Sequence, residues 1–257
     1  MIIAIDGLDG SGKESLTKGL LKREYGDGGI NKIYRHEFPD YSIPSGQQIH
    51  TMLHSGTMAK IPDEIRPYMI GMLFAYNRAE HFRIWEAMNK ISVLDNWVST
   101  LHIFDRYWAS NILYQCIGMD MKTVINYMKM FKDIESNFNN PFPDLYLFLH
   151  HPYQVLRNRL NKRDSNDIYE QDSYQKAVYW FSETLINEMG RDTVRATSVM
   201  PFRYDGFIEG SVLDIESVPP LFREYTVDEL CDDVISRIPI IKKSRCTPDS
   251  ITVREGR

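Results

Sequence analysis

The sequence predicts an α/β fold of three layers: a parallel sheet of five strands with helices on both faces, to which the resemblance described below adds a mobile lid. Two observations carry the expectation of the layered sheet. Short apolar runs alternate along the chain with longer stretches of helical periodicity. Each run is followed by Gly, Pro or Asp and then by helix-compatible sequence, as strand-to-helix connections require. A length of 257 residues suits one large domain better than two small ones.

Taken in order, strands are expected at Ile2–Ile5, Lys32–His36, Leu101–Phe104 and Leu145–Leu149, with a fifth within Ser211–Ile215. Glu64–Lys90 is the longest helical reading, with Pro67 either in its first turn or interrupting it. Tyr169–Glu188 is a second helix. Thr226–Arg237 is a final one, with Thr226 as N-cap and Glu229 three residues later in a capping-box pattern. Residues 1–240 read as the domain and 241–257 as a loose tail without apolar periodicity. The segment Arg191–Phe222, rich in Gly, Pro and Phe, reads as an insertion before the last helix. Neither an internal repeat nor a low-complexity region is found.

Composition narrows the function. Apolar residues make up 43% of the chain and charged residues 25%, enough to fill a sizeable core. A formal net charge of −5 offers no electrostatic case for a nucleic-acid partner. Binding a small anion needs only a local basic pocket, which a mildly acidic protein can supply. Cys116, Cys231 and Cys246 form no C-x-x-C pair, so neither a disulfide framework nor a zinc site is expected. The N-terminal apolar run is too short for a signal peptide, and no stretch approaches the ~18 apolar residues of a membrane span. A cytoplasmic protein without a membrane partner is expected.

The strongest local signal is Gly7-Leu8-Asp9-Gly10-Ser11-Gly12-Lys13, between a strand and a helix. Glycines let the backbone curl so that successive N–H groups point at phosphate oxygens, and the helix start adds its positive dipole end. Lys13 can reach the β- and γ-phosphates, so a nucleoside triphosphate is the expected ligand. Glu14 stands where such loops carry the Ser or Thr that meets Mg2+, and helix geometry turns Ser15 roughly 100° away from that position. Either magnesium is held by Glu14, another carboxylate or water, or the loop binds nucleotide without turnover.

Five separated segments then match, in order, those of one enzyme family. They are Ile5 through Lys13; Phe38-Pro39-Asp40-Tyr41-Ser42 with Ser45-Gly46; Pro67-Tyr68 with Leu73 through Glu80; Asp105-Arg106-Tyr107-Trp108-Ala109-Ser110-Asn111 with Tyr114-Gln115; and Arg163 through Asp167 with Glu170, preceded by Pro143-Asp144-Leu145. On these residues the sequence resembles the thymidylate kinase family, over roughly three quarters of the chain.

The resemblance implies transfer of the ATP γ-phosphoryl group to a deoxynucleoside monophosphate, with dTMP the leading acceptor. It implies that Lys13 neutralises the donor phosphates and that Arg106 binds the acceptor 5′-phosphate. Asp9 would accept the sugar 3′-OH. Phe74 would stack on the pyrimidine while Arg78, four residues on and on the same helix face, meets its exocyclic oxygen. Asn111 would read the base edge, with Phe38, Pro39, Tyr41, Tyr114 and Gln115 lining the acceptor site. Asp105 would orient magnesium waters, with Glu14 a second metal candidate. Arg163, in a lid at about 161–171, would reach the transferring phosphoryl, with Arg157 and Arg159 behind it. A homodimer is likewise implied.

Departures are also visible. Tyr41 and Gly10 stand where some members carry Arg, and the stretch Ile91–Thr100 is longer than expected. Three other readings stay open: a deoxynucleoside kinase with Glu37 as base, a kinase for dUMP or a C5-modified dUMP, and a non-catalytic nucleotide-binding regulator.

Overall fold

The computed structural model describes residues 1–23, 25, 29–94, 99–161, 172–189, 200–202 and 226–245, with 59, 186–189, 200–202 and 237–245 described in backbone only. Among the described residues, five strands form one sheet in the order β2-β3-β1-β4-β5. They are β1 (Ile2–Gly7), β2 (Lys32–Glu37), β3 (Thr100–Asp105), β4 (Leu145–Leu149) and β5 (Met200–Phe202). The first four are parallel, with Ile5 opposite Asp105 and Gly7 opposite Leu149.

β1 is buried along its whole length because both of its faces are covered. Its alternating side chains divide accordingly. Ile3 and Ile5 pack with Leu16, Leu20, Leu230 and Val234, which come from α1 (Lys13–Leu21) and α8 (Val227–Arg245). Ile2 and Ala4 pack on the other face with Phe82, Phe104, Tyr127 and Phe131. Phe82 belongs to α3 (Arg66–Asn89), with Pro67 in its first turn, and Tyr127 and Phe131 belong to α5 (Met121–Asn137). Between α1 and α8 lie α2 (Pro44–His54), α3, α4 (Trp108–Gln115), α5, α6 (Tyr153–Leu160) and α7 (Asp172–Met189).

The all-parallel sheet and the end of the last helix are corrected. Among the described residues the fifth strand is Met200–Phe202, and it runs antiparallel to β4, pairing Phe148 with Met200. Three residues with Pro201 among them offer neither an apolar run nor a period of two, and proline suits an edge strand. The expected position, Ser211–Ile215, lies outside the described residues. The last helix begins as the capping box predicts. Thr226 N–H donates to Glu229 Oε2 at 2.9 Å, and Glu229 N–H donates to Thr226 Oγ1 at 3.2 Å. It then runs to Arg245, into the first residues of the segment read as a tail.

Candidate active site

The loop after β1 closes at Gly12, whose φ of +94° is the left-handed conformation that costs glycine nothing. Lys13 opens α1 and folds back over the loop, its Nζ donating to the carbonyls of Gly7 at 2.9 Å and Leu8 at 2.7 Å. Burial, then the neighbouring Arg106, pushes its pKa down to about 7. Arg159 of α6 adds a second cation to the loop, its Nη1 donating to the Gly10 carbonyl at 3.0 Å. Arg157 is turned to Asp172 at 2.7 Å. Glu14 points away from the loop into an i,i+4 ion pair with Lys18 at 2.6 Å, and Ser15 is exposed.

Asp9 is the hub of the site. Its carboxylate pairs with Arg106 and accepts from the Tyr114 hydroxyl at 3.0 Å and the Gln175 amide at 2.8 Å. Burial pushes its pKa up, but Arg106 and Lys13 outweigh that and hold the carboxyl below the usual range. Arg106 reaches Asp9 from the end of β3 with a φ of +65°, a conformation costing an L-residue on the order of 1–2 kcal/mol. The surrounding structure holds it there. Arg106 N–H donates to the Ile5 carbonyl at 2.9 Å, and the next amide, Tyr107 N–H, donates to both oxygens of buried Asp6 at 3.2 Å. Asp6 also accepts from the Ser110 hydroxyl; burial nonetheless raises its pKa. Strain at a residue this firmly positioned is characteristic of a working site.

Asp105, beside Arg106, is paired with Arg35 at 2.8 Å. The Phe38–Pro39 peptide is cis, and Phe38 is buried among His81, Phe82, Phe104 and Tyr107. The loop that follows is latched to α3: Asn77 accepts from Asp40 N–H at 2.9 Å and donates to Ser45 Oγ at 2.9 Å. Gly46 lies directly under the Asp40 carbonyl, where a Cβ would overlap it, which explains the Ser45-Gly46 pair. Tyr41 is exposed beside His50.

On α3, Phe74 is half-buried and packs into neither apolar face of the sheet. Arg78, the expected base contact, is enclosed. It is 1% exposed, forms an ion pair with Glu135 of α5, and lies over the Tyr107 ring at 5.3 Å. Asn111 is buried, its amide donating to the Gly71 carbonyl at 3.3 Å, and Gln115 is buried on the same helix. Arg163 and the rest of the lid lie outside the described residues.

Four groups escaped the sequence reading. Gln175 and Glu135 sit in ordinary helical sequence, and only the packing of α7 and α5 brings them to Asp9 and Arg78. Asp6 lies within the first matched segment, where nothing local shows that it holds the Tyr107 amide and the Ser110 hydroxyl. The fourth is a chain of three imidazoles: His102 meets His36 at 2.9 Å, His36 meets His81 at 2.9 Å, and His81 meets Asp40 at 2.7 Å.

The chain is similar to known proteins over most of its length. The family description "Thymidylate kinase" matches residues 5–194. The probable thymidylate kinase of Methanococcus aeolicus is 29% identical over 187 residues, 72% of this chain and 79% of that one. The thymidylate kinase of Brachyspira hyodysenteriae is 30% identical over 179 residues, 69% of this chain and 76% of that one. Among solved structures, thymidylate kinase from Candida albicans shares the fold with a TM-score of 0.52 at 23% identity, covering 95% of this chain and 92% of that one. With a nucleotide loop, a strained arginine and an in-loop carboxylate all inside the matched span, the chain belongs to the thymidylate kinase family.

Proposed function

We propose that this chain moves the γ-phosphoryl group of ATP onto dTMP, giving dTDP, with Asp9 and Arg106 as the acceptor-binding pair. The chain is an ATP-dependent nucleoside monophosphate kinase of the thymidylate kinase family. The observation that carries the residue assignment is the hub at Asp9, where an acidic group, Arg106 and Lys13 meet at the phosphate loop. Phosphoryl transfer requires in-line positioning and positive charge rather than covalent chemistry. Lys13 neutralises the donor phosphates, and Arg159 supplies further charge beside Gly10. Arg106 exchanges Asp9 for the acceptor phosphate, which frees Asp9 to accept the sugar hydroxyl. Arg163 reaches the migrating group from the lid.

At the base end, Phe74 stacks on the pyrimidine, Arg78 donates to its exocyclic oxygen, and Asn111 reads its edge. Phe38, Pro39, Tyr41, Tyr114 and Gln115 shape the walls. A magnesium ion carried by nucleotide phosphates needs only one or two protein carboxylates. Asp105 fits that role: it ends β3 opposite Ile5, and its partner Arg35 has a second carboxylate, Glu37, at 2.9 Å. Glu14, turned to Lys18, fits less well. The ion would neutralise the β- and γ-phosphates. The homodimer is supported by a stripe on α3 and its N-cap, where Ile65, Met69, Met72 and Tyr76 are all exposed at helical spacing.

The test is ADP release with Mg·ATP and dTMP, dUMP, dCMP or thymidine. dTMP is expected to be turned over best. Turnover of thymidine alone would move the chain to the nucleoside kinases. Arg106→Ala should cut kcat/KM for dTMP by about 10²–10³-fold while ATP binding persists; full activity would remove the acceptor assignment.

A further inference from the structure

We propose that Glu135 is a positioning residue of the acceptor site, which cancels the charge of Arg78 and aims its guanidinium, making the base end of the pocket electrically neutral. The proposal rests on the reading of Arg78 as the group that meets the acceptor base.

The geometry of the pair is the first support. Arg78 Nε donates to both Glu135 oxygens, at 3.1 and 3.2 Å, and Nη2 donates to Oε1 as well. Nη1 is left outside the ion pair. Both side chains are only 1% exposed. The carboxylate is held in turn: Asn140 Nδ2 donates to Glu135 Oε2 at 2.6 Å and to the Ala75 carbonyl at 3.2 Å, tying α5 to the backbone of α3. The Tyr107 ring lies against the guanidinium, 5.3 Å from Cζ to the ring centroid. A planar fork gripped in this way keeps little rotational freedom, so the direction of its free N–H edge is set by Glu135.

Charge is the second support. The acceptor nucleotide has an anionic phosphate end and a neutral base end. Lys13 and Arg106 face the phosphate end and share Asp9. An uncompensated arginine at the base end would compete for the phosphate and hold the acceptor backwards. Glu135 removes that competition and leaves a donor. A donor suits the exocyclic carbonyl of thymine or uracil and opposes the amino group of cytosine. A site built to hydrogen-bond one edge rejects the wrong one by leaving a polar group unpaired.

The experiment compares steady-state kinetics of Glu135→Gln and the unaltered chain with dTMP and dCMP, beside thermal unfolding. The variant is expected to raise KM for dTMP about tenfold with kcat nearly retained, and to reduce the dTMP:dCMP ratio of kcat/KM by about tenfold. KM for ATP should not change. Glu135→Asp should recover part of the ratio. A lowered Tm with an unchanged ratio would reduce Glu135 to a structural group and overturn the proposal. Should Glu135→Gln fail to fold, Arg78→Met combined with Glu135→Leu replaces the sealed pair by apolar groups of similar volume. That double variant should lose the preference for dTMP, and a preserved preference would overturn the proposal. Failure of the underlying reading looks different: the unaltered chain would itself show no preference for dTMP, and the proposal would fall with it. Preference in the unaltered chain that survives Glu135→Gln sinks the role of Glu135 alone.

Discussion

Arg106 and Arg78 both pair with a carboxylate, yet their surroundings are opposite. The Arg106–Asp9 pair is partly open, with side chains 23% and 14% exposed, whereas Arg78 and Glu135 are each 1% exposed. An open pair can exchange one partner for a ligand phosphate at modest cost, because water and neighbours take up the released charge. A sealed pair cannot be broken without stranding a charge in the interior. The first is therefore suited to contact with substrate phosphate, and the second to fixing the shape of the pocket. The interior beneath α3 repeats the theme with the row of His102, His36 and His81.

The largest effect should come from breaking the sealed pair from one side. Glu135→Ala is expected to cost about 3–5 kcal/mol of unfolding free energy, measured by urea titration. A loss below about 1 kcal/mol would place Glu135 in the same class as the open pair. Next come the sealed histidines. Burial holds His36 well below the ordinary imidazole value and His102 at about 4, the latter helped by the N-terminal ammonium. The unfolded chain therefore takes up more protons than the folded one between pH 6.5 and about 4, and stability falls as pH drops through that window. His102 alone should contribute ~2–3 kcal/mol to this fall, and His102→Asn should flatten it. An unchanged slope in that variant would show that the row is not sealed.

A contrasting signature is expected at the open end. Asp9→Asn should lower kcat/KM for dTMP about 10–100-fold while lowering the unfolding free energy clearly less than Glu135→Ala does. A stability loss as large as that of Glu135→Ala would erase the distinction between the two pairs. The smallest effect belongs to Gln175→Leu, which removes one hydrogen bond to Asp9 worth about 1 kcal/mol. It should lower kcat/KM about fivefold and leave the ATP KM alone.

Much of the fold was legible because its signals are local. Four parallel strands were readable as apolar runs beside Gly, Pro or Asp, and the capping box at Thr226 was readable from two residues. β5 was not, because a three-residue edge strand is created by its partner β4 rather than by its own pattern. α2, α4 and α5 were not singled out, although Asp120 caps α5 by accepting from Thr123 N–H in the usual way. In the site, Lys13, Asp9 and Arg106 could be named because they lie in contiguous motifs. Gln175 and Glu135 could not, since each reaches its partner across a sequence separation that no local pattern encodes.

The sequence by itself determined the strand–loop–helix after β1, the order of the four parallel strands along the chain, and Lys13, Asp9 and Arg106 as the charged groups of the loop and its neighbour strand. These follow from backbone geometry and from hydrophobic periodicity, both written within a few residues. The tertiary structure alone decided which arginine stays open and which is sealed. That outcome depends on how α5 and α7 pack against α3 and the loop, and complete burial raises the cost of breaking an ion pair.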